Sequence, residues 1–543
     1  MDSLGFRIAL FFTFWYCILP AQRIVYSSNT LENFKLKDSF NTKAEMLQSA
    51  DSLVQDFHNL GYASASIDSL SSDSSIAYIY IGNHFDLLAQ TSHPLPRRLS
   101  AKLEGDDGSS KSIEKNTESI LSFYQNNGFP FAQVTPEISG ITSTELQVSY
   151  SIVPGPIMPI DSLILPEKAK VKPYIISRFT GIKVGEPYNE SLVRTANRSL
   201  QQSGMFSLTA NPTASFTFDG AQVYLPVKTQ KSSRFDGIVG LQTDEETGDV
   251  TFTGNINLKL SNALNAAETF SLNWEGFQDN SQVLKAKAKV PFLFQTAFGI
   301  GGQIDIFRAD TAFNNVDRAL FIPYFLQSRG EFQIQVRWFN SSNFDTEEEV
   351  ATTFYGLNYS LNKLNRSNAP SRGFSLSLSA EGGEKKTSIG SDEAIESSQA
   401  DLNLVFHQFV QISKNHVLLG KFQGASLFND YLIFSELKRI GGLSTLRGFD
   451  QESIYASSFA IATLQYQFFF EEESFISLFF DQAWMEQKLI DSYTRDTPFG
   501  FGAGLNMSTN AGTFSIAYAT GAQKNQGISF STAKVHFGFV NYF

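Results

Sequence analysis

Cysteine is nearly absent from this chain of 543 residues, since the single example is Cys17. The rest of the chain can therefore form neither a disulfide nor a thiolate zinc site. Positive charge is also scarce, with 42 Lys and Arg against 54 Asp and Glu, and the formal net charge is −12. This acidity argues against nucleic acid as a partner. The six histidines are scattered without ligand spacing, so we expect neither a metal site nor another cofactor.

The chain also lacks any apolar run long enough to cross a bilayer as a helix, which takes about 20 residues. The run from Ile8 to Leu19 follows Arg7 and predicts a signal peptide over residues 1–22. Charged residues make up only 18% of the chain, whereas Phe occupies 51 positions and Tyr 19. Such a composition is typical of β-rich membrane proteins with aromatic girdles. If the chain enters a membrane, it must do so as a closed barrel.

Three helix–strand–strand units are predicted between the signal peptide and residue 229. Their helices show apolar stripes at helical spacing, and each ends at a glycine: Gly61, Gly128 and Gly204, about 70 residues apart. An alternating strand follows each helix. This recurrence predicts three copies of one small α+β domain. We place them at residues 23–90, 91–157 and 158–229, with a loop or linker over residues 91–112.

From Ser233 onward, apolar and polar residues alternate with a period of two. In one such segment, Leu284, Ala286 and Ala288 alternate with Lys285, Lys287 and Lys289. Alternation over about ten residues is the signature of a lipid-facing barrel strand. A soluble β-sandwich alternates as well, but its domains are usually much smaller than this region. The sequence therefore predicts an antiparallel transmembrane β-barrel over residues 230–543. The final strand carries Phe537, Phe539 and Phe543, and a C-terminal aromatic resembles the sorting signal of outer-membrane barrels.

Within the barrel region, a lone arginine lies between glycine pivots. Arg447 follows the pair Gly441-Gly442 and stands in the tetrapeptide Leu446-Arg447-Gly448-Phe449. About thirty residues downstream, Asp481 lies inside an apolar run that extends from Phe479 to Ala483. A buried carboxylate without a partner is costly, and a guanidinium matches a carboxylate as a bidentate fork. We therefore predict that Arg447 pairs with Asp481.

These motifs resemble the BamA/TamA superfamily of outer-membrane assembly factors, also called the bacterial surface antigen family. In that family a long extracellular loop folds back into a barrel of sixteen strands. Its tip carries a (Val/Leu)-Arg-Gly-(Phe/Tyr) motif, which Leu446–Phe449 matches. The tip arginine meets a Phe-x-Asp-x-Gly motif on the inner wall, matched by Phe479 and Asp481, with Ala483 in place of the glycine. The family wall usually adds a glutamate on the preceding strand, where this chain has Gln465, so one charge is missing.

The N-terminal units resemble POTRA domains, the periplasmic modules of the same superfamily. The matching segments are residues 127–132, which begin Asn-Gly-Phe-Pro, and residues 185–189, which read Gly-Glu-Pro-Tyr-Asn. The resemblance implies an outer-membrane protein of a Gram-negative-type bacterium with its N-terminal domains in the periplasm. It implies that POTRA edges bind unfolded outer-membrane or secreted clients by strand addition, with periplasmic or lipoprotein accessory subunits as further partners. It also implies that the first and last barrel strands, near residues 237–242 and 533–543, pair weakly and open towards the lipid.

We find no catalytic constellation, so an enzyme is not expected. The acidic run Glu471–Glu473 lies between two apolar strands and reads as a solvated turn. Two functions remain: a factor that inserts or exports β-rich clients, or a secretion pore dedicated to one substrate, as in two-partner secretion transporters. Three POTRA-like units favour assembly, because those transporters usually carry two. A diverged structural barrel without a client is a third interpretation.

Overall fold

The structure is a computed structural model that describes residues 23–27, 40–72, 76–103, 107–142, 144–243, 250–277, 281–310, 312–344, 346–366, 369–390, 393–509, 512–524, 526–528 and 533–542. The predicted signal peptide and Phe543 lie outside these residues. No helix within them combines the length and apolar character needed to cross a membrane. The chain divides into two compact units, Met1–Met158 with Pro187–Glu190, and Pro159–Glu186 with Ser191–Phe543.

The first sheet of the chain has three strands, and one helix packs against it. The elements are β1 (Arg23–Ser27), α1 (Lys43–Asn59), β2 (Ser66–Leu70) and β3 (Ile76–Tyr80). Strand β3 lies in the centre, parallel to β1 and antiparallel to β2. The hydroxyl of Thr42 caps α1 by accepting a hydrogen bond from the backbone N–H of Glu45 at 3.2 Å. The buried face of the helix, including Met46 and Phe57, packs on the sheet to form one apolar core.

A second sheet repeats this connectivity. Its elements are β4 (Asp86–Thr91), α2 (Arg97–Leu103), α3 (Ser110–Gln125), β5 (Gln133–Ile141) and β6 (Glu145–Val153). Strand β6 is central, parallel to β4 and antiparallel to β5. The prediction of a loop over residues 91–112 is therefore wrong in part, because α2 lies within this range. The second sheet also begins before it, with β4 at Asp86. Pro96 starts this helix, since its carbonyl accepts hydrogen bonds from the N–H groups of Leu99 and Ser100 at 2.8 and 3.0 Å.

The third sheet has the same connectivity again. Its elements are β7 (Ile160–Ile164), α4 (Pro173–Thr180), α5 (Glu190–Gln202), β8 (Phe206–Leu208), β9 (Thr213–Phe216), β10 (Ala221–Tyr224) and β11 (Val227–Thr229). Strand β10 is central, parallel to β7 and antiparallel to β9, and β8 pairs with β11 separately. The first strand thus lies parallel to the central, last strand in all three sheets. The helix–strand–strand prediction omitted this first strand, which precedes the helices in each sheet.

A single large sheet follows. Its strands are β12 (Arg234–Thr243), β13 (Val250–Ser261), β14 (Thr269–Gly276), β15 (Gln282–Val290), β16 (Ile300–Ala309), β17 (Phe313–Phe325), β18 (Glu331–Asn343), β19 (Glu348–Asn362), β20 (Gly373–Ile389), β21 (Ile395–Ser413), β22 (His416–Phe428), β25 (Ser458–Phe469), β26 (Phe475–Lys488), β27 (Tyr493–Asp496), β28 (Phe499–Thr509), β29 (Gly512–Ala522) and β30 (Lys534–Tyr542). These 17 strands pair antiparallel in chain order. Strands β27 and β28 both pair with β26. Strand β12 also pairs with β30, which brings the two ends of the sheet together. The small hairpin β23 (Lys438–Ile440) and β24 (Ile454–Ala456) stays separate.

The two faces of this sheet have opposite polarity. Leu320, Val336 and Tyr355 are neighbours across three strands, and Leu320 and Tyr355 are 59% and 65% exposed. The next residue on β18, Arg337, lies on the other face, where its side chain is only 15% exposed. Apolar residues therefore cover the outside while charged residues face the lumen, which is the pattern of a transmembrane barrel rather than of a soluble sandwich.

The predicted C-terminal signal lies on β30. Phe537 is in register with Ile516, and both side chains are exposed on the outer face. The backbone of Phe539 is in register with Phe514. Phe537 therefore belongs to the outer wall and is not brought to the lumen.

Candidate functional site at the loop tip

The segment between β22 and β25, residues 429–457, enters the lumen and is called the lumen loop below. Its tip begins at Gly441 and Gly442, whose φ angles are +117° and +89°. A Cβ atom on Gly441 would meet the carbonyl oxygen of Asp450, so this position requires glycine. The turn is closed by Thr445, whose Oγ1 accepts a hydrogen bond from the Gly441 N–H at 2.8 Å and donates to the Gly441 carbonyl at 2.9 Å.

The turn places Arg447 against the inner wall of the barrel. Its Nε donates to Oδ2 of Asp481 at 2.7 Å, and its Nη2 donates to Oδ1 at 2.6 Å. The third nitrogen, Nη1, donates to Oε1 of Gln465 at 2.8 Å. The backbone N–H of Arg447 also donates to Asp481, at 3.2 Å. The guanidinium lies over the ring of Phe479, with its Cζ 3.5 Å from the ring centroid.

Asp481 supplies the negative charge of this site. Its side chain is fully buried, whereas that of Arg447 is 11% exposed. A further donor, Oγ1 of Thr463, contacts its Oδ1 at 2.7 Å. The strand register explains the arrangement, because Thr463 lies directly opposite Asp481 and Gln465 directly opposite Phe479. Three residues of the inner wall thus converge on one guanidinium and one carboxylate.

Apolar contacts complete the tip. Leu446 is fully buried and Phe449 is 9% exposed, and both pack in a cluster with Ile440, Ile461 and Ala483. The methyl group of Ala483, where the family motif has glycine, is therefore part of the core beneath the tip. Arg447 is held between this apolar cluster and the wall carboxylate.

Wall glycines also form the site, and the sequence analysis did not assign them to it. A Cβ on Gly500 would meet the carbonyl oxygen of Arg447, and one on Gly521 would lie 2.6 Å from the ring of Phe449. On the loop side, a Cβ on Gly448, where φ is +92°, would lie 2.6 Å from the backbone of Thr520. Nothing in the positions of Gly500 and Gly521 along the chain marks them as contacts of the tip. Their close contact with the loop could not be deduced without the strand register.

The base of the lumen loop is fastened by a second set of charges. Glu436 binds Lys385 of β20 at 2.5 Å, with side chains 1% and 0% exposed. Lys385 also donates to the carbonyl of Tyr431 at 2.6 Å. Beside it, Lys438 of β23 binds Asp401 of β21 at 2.6 Å. Sequence reasoning missed these contacts, because no motif spacing links the residues.

Asp401 belongs to a wider network around Arg337 of β18. The Arg337 guanidinium contacts Asp317, Glu381 and Asp401 at 2.9, 2.5 and 2.8 Å. Lys438 of the loop adds a second positive charge to these three acids. Buried charges that are paired and hydrogen-bonded in this way hold a segment in one position. The arrangement therefore fixes the loop at both its tip and its base. It contains no nucleophile–base pair, and within the described ranges no group of three potential metal ligands is found.

Comparison with known proteins identifies the family of this architecture. A family model for the Omp85 superfamily domain matches residues 189–539. No curated protein matches the chain.

Among solved structures, CdiB from Escherichia coli is similar over 92% of this chain and 97% of its own, at 13% identity and a TM-score of 0.54. CdiB from Acinetobacter baumannii is similar over 84% and 90%, at 12% identity and a TM-score of 0.53. BamA from Haemophilus ducreyi lacking POTRA domains 1–3 aligns over 84% and 99%, at 16% identity and a TM-score of 0.43. At such identities the CdiB structures show a common fold.

Proposed function

Because the chain belongs to the Omp85 superfamily, we propose that it is an assembly factor that inserts β-rich client proteins into the outer membrane. Membership agrees with the resemblance drawn from the tip motif. The protein is an outer-membrane protein with periplasmic N-terminal domains. Proteins of this superfamily serve in assembly or secretion, and we assign no catalytic activity to this chain.

The pairing of the first and last barrel strands supports this proposal most directly. Among the described residues, β12 and β30 share two pairs, Arg234 with Tyr542 and Phe235 with Asn541. In contrast, β12 pairs with β13 over ten positions, and β18 pairs with β19 over twelve. Each backbone hydrogen bond contributes about 1 kcal/mol net, so this seam is the contact that costs least to open. An open strand edge can then pair with a strand of a client.

We propose that the barrel has sixteen strands, because two of the 17 strands of the sheet, β27 and β28, are two parts of one interrupted strand. Strands β27 and β28 pair one after the other along β26, at Lys488–Met485 and at Gln482–Phe475. They therefore occupy one position of the wall, interrupted at Thr497-Pro498, where proline cannot donate a ladder hydrogen bond. The three N-terminal sheets support three POTRA-like domains, and we move the first boundary from residue 90 to residue 85, because β4 (Asp86–Thr91) belongs to the second sheet. The third domain stays at residues 158–229, with the barrel from 230. Unfolded clients and the bilayer are the expected partners, with accessory subunits as further candidates.

A reversible lock on the seam tests the proposal. Phe235→Cys and Asn541→Cys would introduce cysteines at paired positions, where antiparallel Cα atoms lie about 4.5–5.5 Å apart, within disulfide range. Cys17 is replaced in the same chain. Cells that depend on the locked protein should lose folded outer-membrane proteins, and a membrane-permeable reductant should restore them.

A matched lock shows whether the effect belongs to the seam. Leu418→Cys and Tyr466→Cys join β22 and β25, which already pair over eleven positions. This lock should leave client assembly unchanged. If both locks leave folded outer-membrane proteins at normal levels, the insertion proposal fails. Loss of one secreted protein alone would instead indicate a dedicated secretion pore.

A further inference from the structure

The described part of the lumen contains a cavity of about 1070 Å³ at the end where β12 begins. It is lined by the end of α5, by β11 and by the adjoining ends of several wall strands. Because β12 follows the periplasmic domains directly, this end is the periplasmic mouth of the barrel. Six basic and three acidic residues line the cavity. Its walls are thus basic, although the whole chain has a net charge of −12.

The basic side chains fall into two groups. Lys289 binds Glu331 at 2.9 Å, and Arg366 binds Glu472 at 3.5 Å. The remaining acid, Glu473, accepts a hydrogen bond from Ser508 at 3.5 Å. The other four basic residues form the mouth cluster, and within the described ranges no carboxylate lies within 4.0 Å of their nitrogens: Lys228, Lys231, Arg234 and Lys259.

Two members of the mouth cluster face each other across adjacent strands. Arg234 of β12 is the direct register partner of Lys259 of β13. Their neighbours Phe235 and Leu258 are also paired and belong to the outward apolar row, so Arg234 and Lys259 face the lumen. Like charges directly opposite each other destabilise a sheet. An anionic ligand at this position would remove that repulsion.

We propose that the mouth cluster binds an acidic, extended segment of a client polypeptide. The cavity lies on the lumen face, whereas bilayer lipid contacts the opposite face of the same strands. Its volume accommodates several residues of extended chain, and exposed lysine and arginine side chains bind carboxylates without demanding one fixed geometry. That the acidic segment belongs to a client rests on the proposed function; that the cluster binds a polyanionic chain does not.

Binding of a fluorescent oligoglutamate peptide tests the site. The full chain in detergent micelles is titrated with the peptide, and fluorescence anisotropy is recorded at low and high salt. We expect binding that weakens as salt rises. Lys259→Glu should weaken it about tenfold, which corresponds to about 1.4 kcal/mol, because one attraction is replaced by one repulsion. Arg234→Glu combined with Lys259→Glu should abolish it.

The chain offers a matched control in Lys414, an exposed lysine in the turn between β21 and β22 that does not line the cavity. Lys414→Glu should bind the peptide as the unchanged protein does. All variants are first checked for the gel mobility of a folded barrel, and Lys259→Gln provides a milder substitution should Lys259→Glu not fold. The proposal would be overturned if the folded Lys259 variant, whether Lys259→Glu or Lys259→Gln, bound the peptide as well as the control Lys414→Glu.

Three further outcomes separate this inference from neighbouring ones. If phosphatidylglycerol vesicles compete for the cluster and oligoglutamate does not, the site binds lipid phosphate and the proposal is wrong. Peptide binding together with a seam lock that does not impair client assembly would leave the anion-binding site in place and refute only the insertion function. If the seam lock impairs client assembly but the peptide does not bind, the insertion function stands and the anion-binding site is refuted.

Discussion

Replacing Arg447 by alanine is the most direct test of the loop tip. The substitution removes the bidentate contact with Asp481, the hydrogen bond to Gln465 and the contact over Phe479. It leaves a fully buried carboxylate behind. That carboxylate keeps two donors, Thr463 Oγ1 at 2.7 Å and the backbone N–H of residue 447 at 3.2 Å.

These contacts set the expected magnitude. Breaking a buried pair by removing one partner costs about 3–5 kcal/mol. The two remaining donors offset part of that cost, because each hydrogen bond contributes about 1 kcal/mol net. We therefore expect Arg447→Ala to lower the free energy of unfolding by about 1–3 kcal/mol. Asp481→Asn should cost less, about 1–2 kcal/mol, because the partly exposed guanidinium reaches water and still binds Gln465.

Urea unfolding of the detergent-folded barrel measures both substitutions and their combination. Because the two residues contact each other, the double variant should cost less than the sum, with an interaction energy of about 1–3 kcal/mol. Arg495→Ala is the control, since this exposed arginine has its Cζ 5.6 Å from the Trp484 ring centroid and should change stability by less than about 0.5 kcal/mol. Additive costs would show that the pair is not coupled and would refute this account of the tip.

Three further predictions concern the anchors of the lumen loop. Gln465→Glu should raise the free energy of unfolding by about 1 kcal/mol, because the contact at 2.8 Å becomes charge-assisted; Gln467→Glu, a buried change on the same face of the strand, should lower it instead. Gly500→Ala should displace the tip and expose a cysteine placed at Thr445 to a maleimide reagent, whereas Gly420→Ala, with open space around its Cβ, should not. Glu436→Gln should destabilise the barrel by about 3–5 kcal/mol by leaving the Lys385 charge buried. Unchanged unfolding or labelling in these pairs would contradict the corresponding contact.

Several parts of this architecture were accessible from residue chemistry alone. Helices α1, α3 and α5 end near glycines 61, 128 and 204, because glycine adopts the positive φ that stops a helix. Period-two alternation identified the wall strands, since one face meets lipid and the other the lumen. Arg447 and Asp481 are brought together in the structure, and an acid in an apolar run had pointed to such a partner. In each case the signal is local or depends on residue type.

What could not be deduced depends on strand register. Gly500 and Gly521 make room for the tip because they follow Asp481 in the same cross-strand row of the wall. No pattern within one strand reveals that row. The same holds for Lys385 and Glu436, which are 51 positions apart and meet only after the loop has folded inward. The expected loop over residues 91–112 contains Pro96, which instead starts α2, because proline occurs both in loops and at helix starts.

The ion pairs at the tip and at the base of the lumen loop differ in their exposure to water, and this difference determines which pair costs more free energy to separate. Lys385 and Glu436 at the base are sealed from water, so separating them would leave both charges desolvated. Arg447 at the tip remains partly exposed and has a neutral second acceptor in Gln465, so its charge can be rehydrated as it leaves Asp481. Opening the tip therefore costs less than opening the base. If the loop rearranges while a client enters through the seam, we expect the tip to leave the wall first while Glu436 and Lys438 stay in place.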